Sequence, residues 1–366
     1  VTPALGAATG TSLALTGLAT VGTTLGVTGV STLTAGAVIQ GLTVGKGASA
    51  VASNSAFGVS ALAANTSGAN NTAVGSQAMQ ANTTGSANTA VGTTSLLTNT
   101  TGSDNNAFGR DVLRVNTTGY SNSAFGGATN YVSAAMAANT TGYNNSAFGN
   151  GALGGNTTGT NNVSVGYTSM YANTTGGGNT AIGTDALKAN TTASNNTAVG
   201  YQAAYSNTTG TSNTALGYQA AYSNTTGVGN VALGYQAGYS NTTGTSNTTL
   251  GYQAGYSGVT ASNVTAIGYQ AADVNTAGAI TAVGSGALGS NTSGTENTAI
   301  GYLALNASIT GNSNVAVGHS ALKVSTTGYR NTAVGTSALL DATTTFSCTA
   351  VGQGAAQNIT TGSNNT

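Results

Sequence analysis

The chain has 366 residues, of which 56 are glycine, and charged residues make up only 3% of it. Six lysines and arginines balance six aspartates and glutamates, so the formal net charge is zero. So few cations cannot form the clustered basic surface that nucleic-acid binding needs, and one histidine with one cysteine cannot build a Cys/His zinc site. Because the apolar runs are also too short for a membrane-spanning helix, we expect no nucleic-acid partner, no membrane insertion and no cofactor.

Residues 1–50 differ in pattern from the rest of the chain. Leucine and valine recur there among threonine and glycine at short, irregular spacing. This pattern predicts a slender β segment or neck that leads into the following array. The chain starts at Val1 rather than at a methionine, and it stops at Thr366 within a repeat. We therefore expect it to be a piece of a longer protein.

Residues 51–366 repeat one sequence unit about eighteen times. A glycine that follows a small and then a large apolar residue recurs at an almost constant 17-residue interval, as at Gly183, Gly200 and Gly217. We number this glycine position 0, and the average unit is then G-x-x-A-L-x-x-N-T-T-G-x-x-N-T-A-V. One interval is longer, from Gly126 to Gly149, and one is shorter by a single residue, from Gly268 to Gly284. A period kept over so many units predicts a repeat architecture.

The unit excludes helical repeats, because it holds two glycines and lacks the apolar spacing of an amphipathic helix. Its Asn-Thr-Ala-Val segment is typical of a β-strand, and its Asn-Thr-Thr-Gly segment is typical of a turn. The fold class predicted is therefore all-β, a parallel β-solenoid or β-roll with one 17-residue unit per coil. At a strand spacing of about 4.8 Å, the array would form a rod on the order of 85 Å long.

The two apolar residues before each glycine must point to opposite faces of the strand. Position 15 is small, usually alanine, and fits the inside of a narrow coil, which places the large residue at position 16 outside. An exposed apolar row of this length favours burial against identical chains. The reverse assignment, with large residues inside, stays open. The candidate assembly or core ladder at position 16 contains Val74, Phe108, Val199, Leu216, Leu233, Ile267 and Val334.

The turn segment predicts a second ladder. Most asparagines at position 7 lie in Asn-Thr-Thr or Asn-Thr-Ser, which is formally a glycosylation acceptor. We favour a structural role, in which the turn requires this sequence and equivalent asparagines stack. The candidate turn ladder contains Asn190, Asn207, Asn224, Gly210 and Gly227.

Positions 4 and 5 vary together. Where position 4 shrinks to Ala204, Ala221, Gly238 or Gly255, position 5 becomes tyrosine. Because cores keep their total volume when one side chain shrinks, this exchange predicts that the tyrosine compensates for the lost leucine.

No constellation of residues supports catalysis. The carboxylates are scattered over different units and positions, and Cys348 is nearly two units from His319. We therefore expect a protein that is not an enzyme. The long unit carries an insertion within Asn130–Met136, and we single out Asn130, Tyr131 and Met136 as a binding loop, with a bulge of no function as the alternative.

Units such as Asn213–Gly227 resemble repeats of phage tail-fibre proteins. The Asn-Thr-Ala-Val-Gly core is also similar to the head repeats of trimeric autotransporter adhesins, which are left-handed parallel β-rolls, although the adhesin repeat is shorter. The resemblance covers residues 52–366. It implies a homotrimeric fibre in which the alanines line each roll and the large position-16 residues line the trimer axis.

Three functions are compatible with this sequence. The first, which we favour, is the shaft of a tail fibre on a virion, which positions a tip that binds a host-cell receptor or glycan outside this segment. The second is a bacterial extracellular adhesin or surface filament. The third is direct binding to glycan or ice, which requires a flat, regular threonine array, whereas threonine is expected mainly in the turns.

Overall fold

The computed structural model describes residues 37–39, 42–49 and 51–366, so most of the predicted neck lies outside the described residues. The described part contains twenty short strands and no helix. The first three strands are β1 (Ala37–Ile39), β2 (Leu42–Gly45) and β3 (Ser55–Gly58). The others are β4 (Thr72–Val74), β5 (Thr89–Val91), β6 (Asn106–Phe108), β7 (Ser123–Phe125), β8 (Ser146–Phe148), β9 (Val163–Val165), β10 (Thr180–Ile182), β11 (Thr197–Val199), β12 (Thr214–Leu216), β13 (Val231–Leu233), β14 (Thr248–Leu250), β15 (Val264–Ile267), β16 (Ile280–Val283), β17 (Thr298–Ile300), β18 (Val315–Val317), β19 (Thr332–Val334) and β20 (Thr349–Val351).

Strands β3 to β20 form one parallel stack, and each pairs with the equivalent residues of the next unit. Ala198 of β11, for example, pairs with Ala215 of β12. The predicted fold class is confirmed: the chain forms an all-β parallel solenoid of about 17 turns with 17-residue coils. The hairpin of β1 and β2 precedes the stack, and β2 pairs with β3 in the antiparallel direction. The hairpin therefore covers the edge that β3 would otherwise expose.

In the strands, alanine at position 15 points into the coil and the large residue at position 16 points outwards, as in the first of the two assignments. Ala198 and Ala215 are fully buried, whereas Val199 is half-buried and Leu216 is 40% exposed. The reverse assignment, with large residues inside and alanine outside, is wrong. Threonines at position 14, such as Thr197 and Thr214, lie beside the large residues on the outer face. A threonine row therefore follows the sheet, and the expectation that threonine lies mainly in turns missed it.

The interior is completed by positions 3 and 4. Alanine at position 3 and leucine or methionine at position 4 are fully buried in most coils. The backbone at position 4 is left-handed, for example φ 50° at Leu187 and φ 45° at Met170. A left-handed backbone costs a leucine roughly 1–2 kcal/mol, and complete burial of its side chain offsets this with about 1.5–3 kcal/mol.

The glycine at position 0 is required for two reasons. Gly217 has φ 135°, a region that side chains rarely adopt. A Cβ there would also lie 2.4 Å from the carbonyl oxygen of Gly234 in the next coil. Because each coil contacts the next through this glycine backbone, the repeat cannot accept any other residue at position 0 without a shift.

The exchange between positions 4 and 5 has a different meaning from the one predicted. Tyr205 and Tyr222 are only half-buried and lie on the outer surface, so they do not fill the volume that the missing leucines leave inside. Thr249, which replaces the usual alanine at position 15, fills part of that volume: a Cβ on Gly255 would lie 2.7 Å from its Cγ2. A small interior cavity of about 30 Å³ remains beside it.

We predict that Gly217→Ala lowers the midpoint of thermal unfolding, measured by circular dichroism, by an amount equivalent to at least about 2 kcal/mol, because it combines a strained backbone with a clash. Gly229→Ala is the matched control. Gly229 has φ 66°, and a Cβ added there would meet no atom within 4 Å. Another unit carries alanine, Ala87, at this same position. An equal fall of the unfolding midpoint in both variants would contradict the conclusion that the backbones of successive coils approach too closely at position 0 for a Cβ atom.

Candidate functional surfaces of the solenoid

The outer face of the sheet carries a continuous apolar row. All members of the predicted position-16 ladder lie on it, either exposed or half-buried: Val74, Phe108, Val199, Leu216, Leu233, Ile267 and Val334. Three neighbouring phenylalanines in this row stack, with ring centroids 4.6 Å apart for Phe108 and Phe125 and 4.8 Å apart for Phe125 and Phe148. Water contacts this face in the single chain, so it is a candidate for an assembly surface.

The predicted turn ladder lies in the interior. Asn207 Nδ2 donates to Asn190 Oδ1 at 3.1 Å, and Asn224 Nδ2 donates to Asn207 Oδ1 at 2.8 Å. The same amide group of Asn207 also donates to the carbonyl of Gly210 at 2.9 Å. The amide nitrogen that glycosylation would modify is therefore buried and hydrogen-bonded, which supports the structural role of these asparagines.

A second asparagine ladder at position 13 meets the first one. Asn213 Nδ2 donates to the carbonyl of Gly227 at 2.8 Å, and that carbonyl also accepts from Asn224 at 3.2 Å. The Oδ1 of Asn196 accepts from the backbone N–H of Asn213 at 2.9 Å. The amide nitrogen of Asn213 thus has a partner in the following coil, and its Oδ1 accepts from the N–H of Asn230 at 2.9 Å, which satisfies the polar atoms of this buried side chain.

The position-7 ladder is continuous from Asn65 to Asn241. Gly258 interrupts it, and beyond Asn291 the shorter Ser308 and Ser325 replace asparagine. The Oδ1 of Asn291 and the two serine hydroxyls are buried without a hydrogen-bond partner. The last third of the solenoid is therefore less completely hydrogen-bonded than the first two-thirds.

Two columns of stacked tyrosines lie on the outer surface. The column at position 1 runs from Tyr201 to Tyr269 with ring centroids 5.1–5.3 Å apart. The column at position 5 runs from Tyr205 to Tyr256 with centroids 5.1 Å apart. Between them at position 2, glutamine side chains from Gln202 to Gln270 hydrogen-bond in a chain at 2.9–3.3 Å. The sequence signal for this surface is Tyr-Gln-Ala at a 17-residue period: it indicates the surface ladder of tyrosines at position 1, to which His319 also belongs, but not the stacked column at position 5.

Charged groups stand at both ends of the position-5 column. Lys188 Nζ lies 5.6 Å from the centroid of Tyr205 and 2.9 Å from Oδ1 of Asp185. Burial lowers the pKa of Lys188, but the hydrogen bond and the charge of Asp185 outweigh burial and leave this pKa raised. Asp273 occupies position 5 at the other end, and burial raises the pKa of its carboxyl group.

The inserted loop differs from the predicted one. Met136 is fully buried at position 4 of its coil, so it belongs to the core and not to a binding loop. The N–H of Ala128 donates to the carbonyl of Arg110 at 2.9 Å, as position 2 does in other coils, and the N–H of Ala135 donates to the carbonyl of Gly126 at 2.8 Å, so the six extra residues are 129–134. Within them the backbone N–H of Thr129 donates to the carbonyl of Val132 at 2.9 Å. Asn130 and Tyr131 do lie in this loop, and the Tyr131 side chain is 95% exposed.

The isolated residues of chemical interest have structural partners. Cys348 is buried at an asparagine position, and its backbone N–H donates to Asn331 Oδ1 at 3.1 Å. His319 stacks on Tyr302 with ring centroids 5.2 Å apart. In the part of the chain that the structure describes, no group of three His, Cys, Asp or Glu residues could hold a metal ion, and no helix could cross a membrane.

Comparisons with known proteins do not assign a family. No family model matches the chain, and no curated protein matches its sequence significantly.

We predict that Asn207→Ala lowers the free energy of unfolding by about 2–3 kcal/mol, because it removes one donor and one acceptor from a buried ladder. Chemical denaturation followed by circular dichroism measures the change. Thr209→Ala is the control in the same turn: its side chain is exposed, and the substitution should cost less than about 0.5 kcal/mol. Equal effects of the two substitutions would argue against a stabilising role of the ladder.

Proposed function

We propose that this chain is the shaft of a homotrimeric extracellular fibre of the phage tail-fibre kind. The observation that carries the proposal is the apolar row at position 16, which continues over all eighteen strands of the parallel stack on one outward face. A row of this length is far more extensive than the apolar patches that monomers leave in water. Three identical rows packed around a common axis would remove it from water and would form a closed symmetric assembly.

The shape and composition support a spacer role on the virion. Each coil is hydrogen-bonded to both neighbours along its whole length, which makes the rod stiff, and only terminal coils present free strand edges. Charged side chains are rare, and no group of three His, Cys, Asp or Glu residues that could hold a metal ion occurs among the described residues. A tip outside this segment would then recognise the host receptor or glycan. Within the segment itself, the loop at Asn130 and Tyr131 is the candidate for a further contact with the host.

A bacterial surface adhesin or filament built from the same roll is the alternative. The two differ in what flanks the array: a tail-attachment domain and a C-terminal chaperone module in the fibre, a signal peptide and a membrane anchor in the adhesin. The sequence of the full gene product distinguishes them. The threonine row at position 14 lies beside the apolar row, so trimer formation would cover it and would argue against direct binding to ice or glycan through that row.

We predict that Val199→Asp combined with Leu216→Asp prevents trimer assembly, because charges buried at an apolar axis cost several kcal/mol each. Both side chains point away from the coil interior, so each chain should still form its solenoid. Light scattering should report the mass of three chains for the unmodified protein and of one chain for the variant. Thr209→Asp combined with Thr226→Asp adds the same charge on a different face and should leave the mass unchanged. If the variant with both aspartates still has the mass of three chains, the position-16 residues do not pack around the trimer axis.

We further predict that deletion of one whole unit, Tyr201–Gly217, shortens the rod by about 4.8 Å and leaves assembly and host range intact. Deletion of eight residues, Tyr201–Thr208, should abolish assembly because every later residue loses its ladder partner. Scattering or electron microscopy measures the length, and a cell-attachment assay measures host range. Loss of attachment by fibres that still assemble after the whole-unit deletion would show that the shaft surface itself binds the host, contrary to the spacer role.

A further inference from the structure

The position-1 tyrosine column has a gap one ring wide. Tyr269 and Tyr302 occupy position 1 of two coils that are separated by one intervening coil, and the intervening residue is Ser285. Tyr269 stacks on Tyr252 at 5.3 Å on its other side, and Tyr302 stacks on His319 at 5.2 Å. Two coil steps separate the facing rings by about 9.6 Å. The two rings therefore face each other across a space from which an aromatic side chain is missing.

The exposure of the rings shows that this space is open. Tyr235 and Tyr252, which have rings on both sides, are 43% and 44% exposed. Tyr269 and Tyr302 are 53% and 51% exposed. Each of these two tyrosines has a stacked ring on one side only.

The gap is part of a surface pocket of about 280 Å³. The pocket exists because the intervening coil has small residues, Ser285, Gly286 and Gly289, where other coils carry tyrosine, glutamine and tyrosine. Asn306 lies at its margin and donates to the carbonyl of Gly286 at 2.7 Å. Pockets of this size are near the lower limit of those that hold small ligands, so the pocket can accept one small group.

The wall of the pocket carries one negative charge. Asp273 lines it at position 5, and no lysine or arginine pairs with its carboxylate among the described residues. Asp273 is also the only charged residue between Lys188 and Glu296. A half-buried carboxylate without a counter-charge, beside two aromatic faces, favours a cationic ligand over a neutral or anionic one.

We propose that this pocket binds a small organic cation of the alkylammonium class, held between the rings of Tyr269 and Tyr302 with its charge balanced by Asp273. An ammonium group midway between the rings would lie about 4.8 Å from each, within the roughly 6 Å over which cation–π attraction acts. Methyl groups on the nitrogen suit the apolar ring faces, so a quaternary ammonium fits better than an inorganic cation. This site is independent of the proposed fibre function.

A second gap in the same column supplies an internal comparison. Tyr167 and Tyr201 also lie two coils apart, with Thr184 between them. The carboxylate beside that gap, Asp185, is already paired with Lys188 at 2.9 Å. The two rings are the same number of coils apart, but the carboxylate beside them is neutralised by Lys188, so we expect no cation site there.

The test uses choline, tetramethylammonium and the neutral dimethylbutanol in which carbon replaces the ammonium nitrogen of choline. Isothermal titration calorimetry and ligand NMR at constant ionic strength measure binding to the full chain. We expect one site per chain for both cations and at least about tenfold weaker binding of the neutral compound, because the cation–π term is lost. Equal binding of choline and its neutral counterpart would overturn the proposal and indicate an unspecific apolar pocket.

Variants then locate the site. Ser285→Tyr restores the missing ring and should abolish cation binding, whereas Thr184→Tyr fills the other gap and should leave binding unchanged. Asp273→Asn should weaken choline binding at least about tenfold without changing that of dimethylbutanol. Circular dichroism and the unfolding midpoint establish that each variant is folded. Binding that survives Ser285→Tyr, or is lost in Thr184→Tyr, would place the ligand elsewhere and overturn the proposal.

Discussion

Hydrogen bonds between equivalent atoms of successive coils are the interaction on which the rest of this structure depends. The N–H of Gly217 donates to Val199 in the preceding coil, and the N–H of Thr214 donates to Asn230 in the following one. Extra residues in a unit are compatible with these hydrogen bonds only where they form a loop outside the stacked coils. The six inserted residues form a loop between Ala128 and Ala135, and the asparagine ladder passes from Asn116 to Asn139 without a break.

The same constraint explains why the chain has so few charges. In a parallel, in-register stack each residue lies beside its own counterpart about 4.8 Å away. A charge at any recurring position of the unit would therefore face an identical charge, and the repulsion would act at every coil. Asparagine, glutamine, threonine and tyrosine avoid this penalty, because an amide can donate to an identical amide and a ring can stack on an identical ring. The glutamine chain from Gln202 to Gln270 is such a case.

The outward surfaces divide by position within the unit. Positions 14 and 16 present threonine and large apolar residues, which suit contact with further copies of the chain. Positions 1, 2 and 5 present the tyrosine and glutamine columns, which are limited to part of the rod. The columns at positions 1 and 2 end at Ser285 and Gly286, and the column at position 5 ends at Asp273. A face that continues over every coil serves assembly, whereas a local interruption in a column creates a distinct pocket with its own chemistry.

The sequence by itself determined the architecture, because a unit repeated about eighteen times with glycine, asparagine and alternating alanine and valine at fixed positions permits one regular coil. It favoured alanine on the inside of the coil, but it left the reverse assignment open, and the burial of alanine in the structure decided between the two. The tertiary structure decided what depends on neighbours in adjacent coils. It placed Met136 in the core, put Tyr205 and Tyr222 on the surface instead of in the vacated interior, and showed that the position-7 asparagines are buried. These outcomes depend on which atoms of successive coils come into contact, and the order of residues within one unit does not specify those contacts.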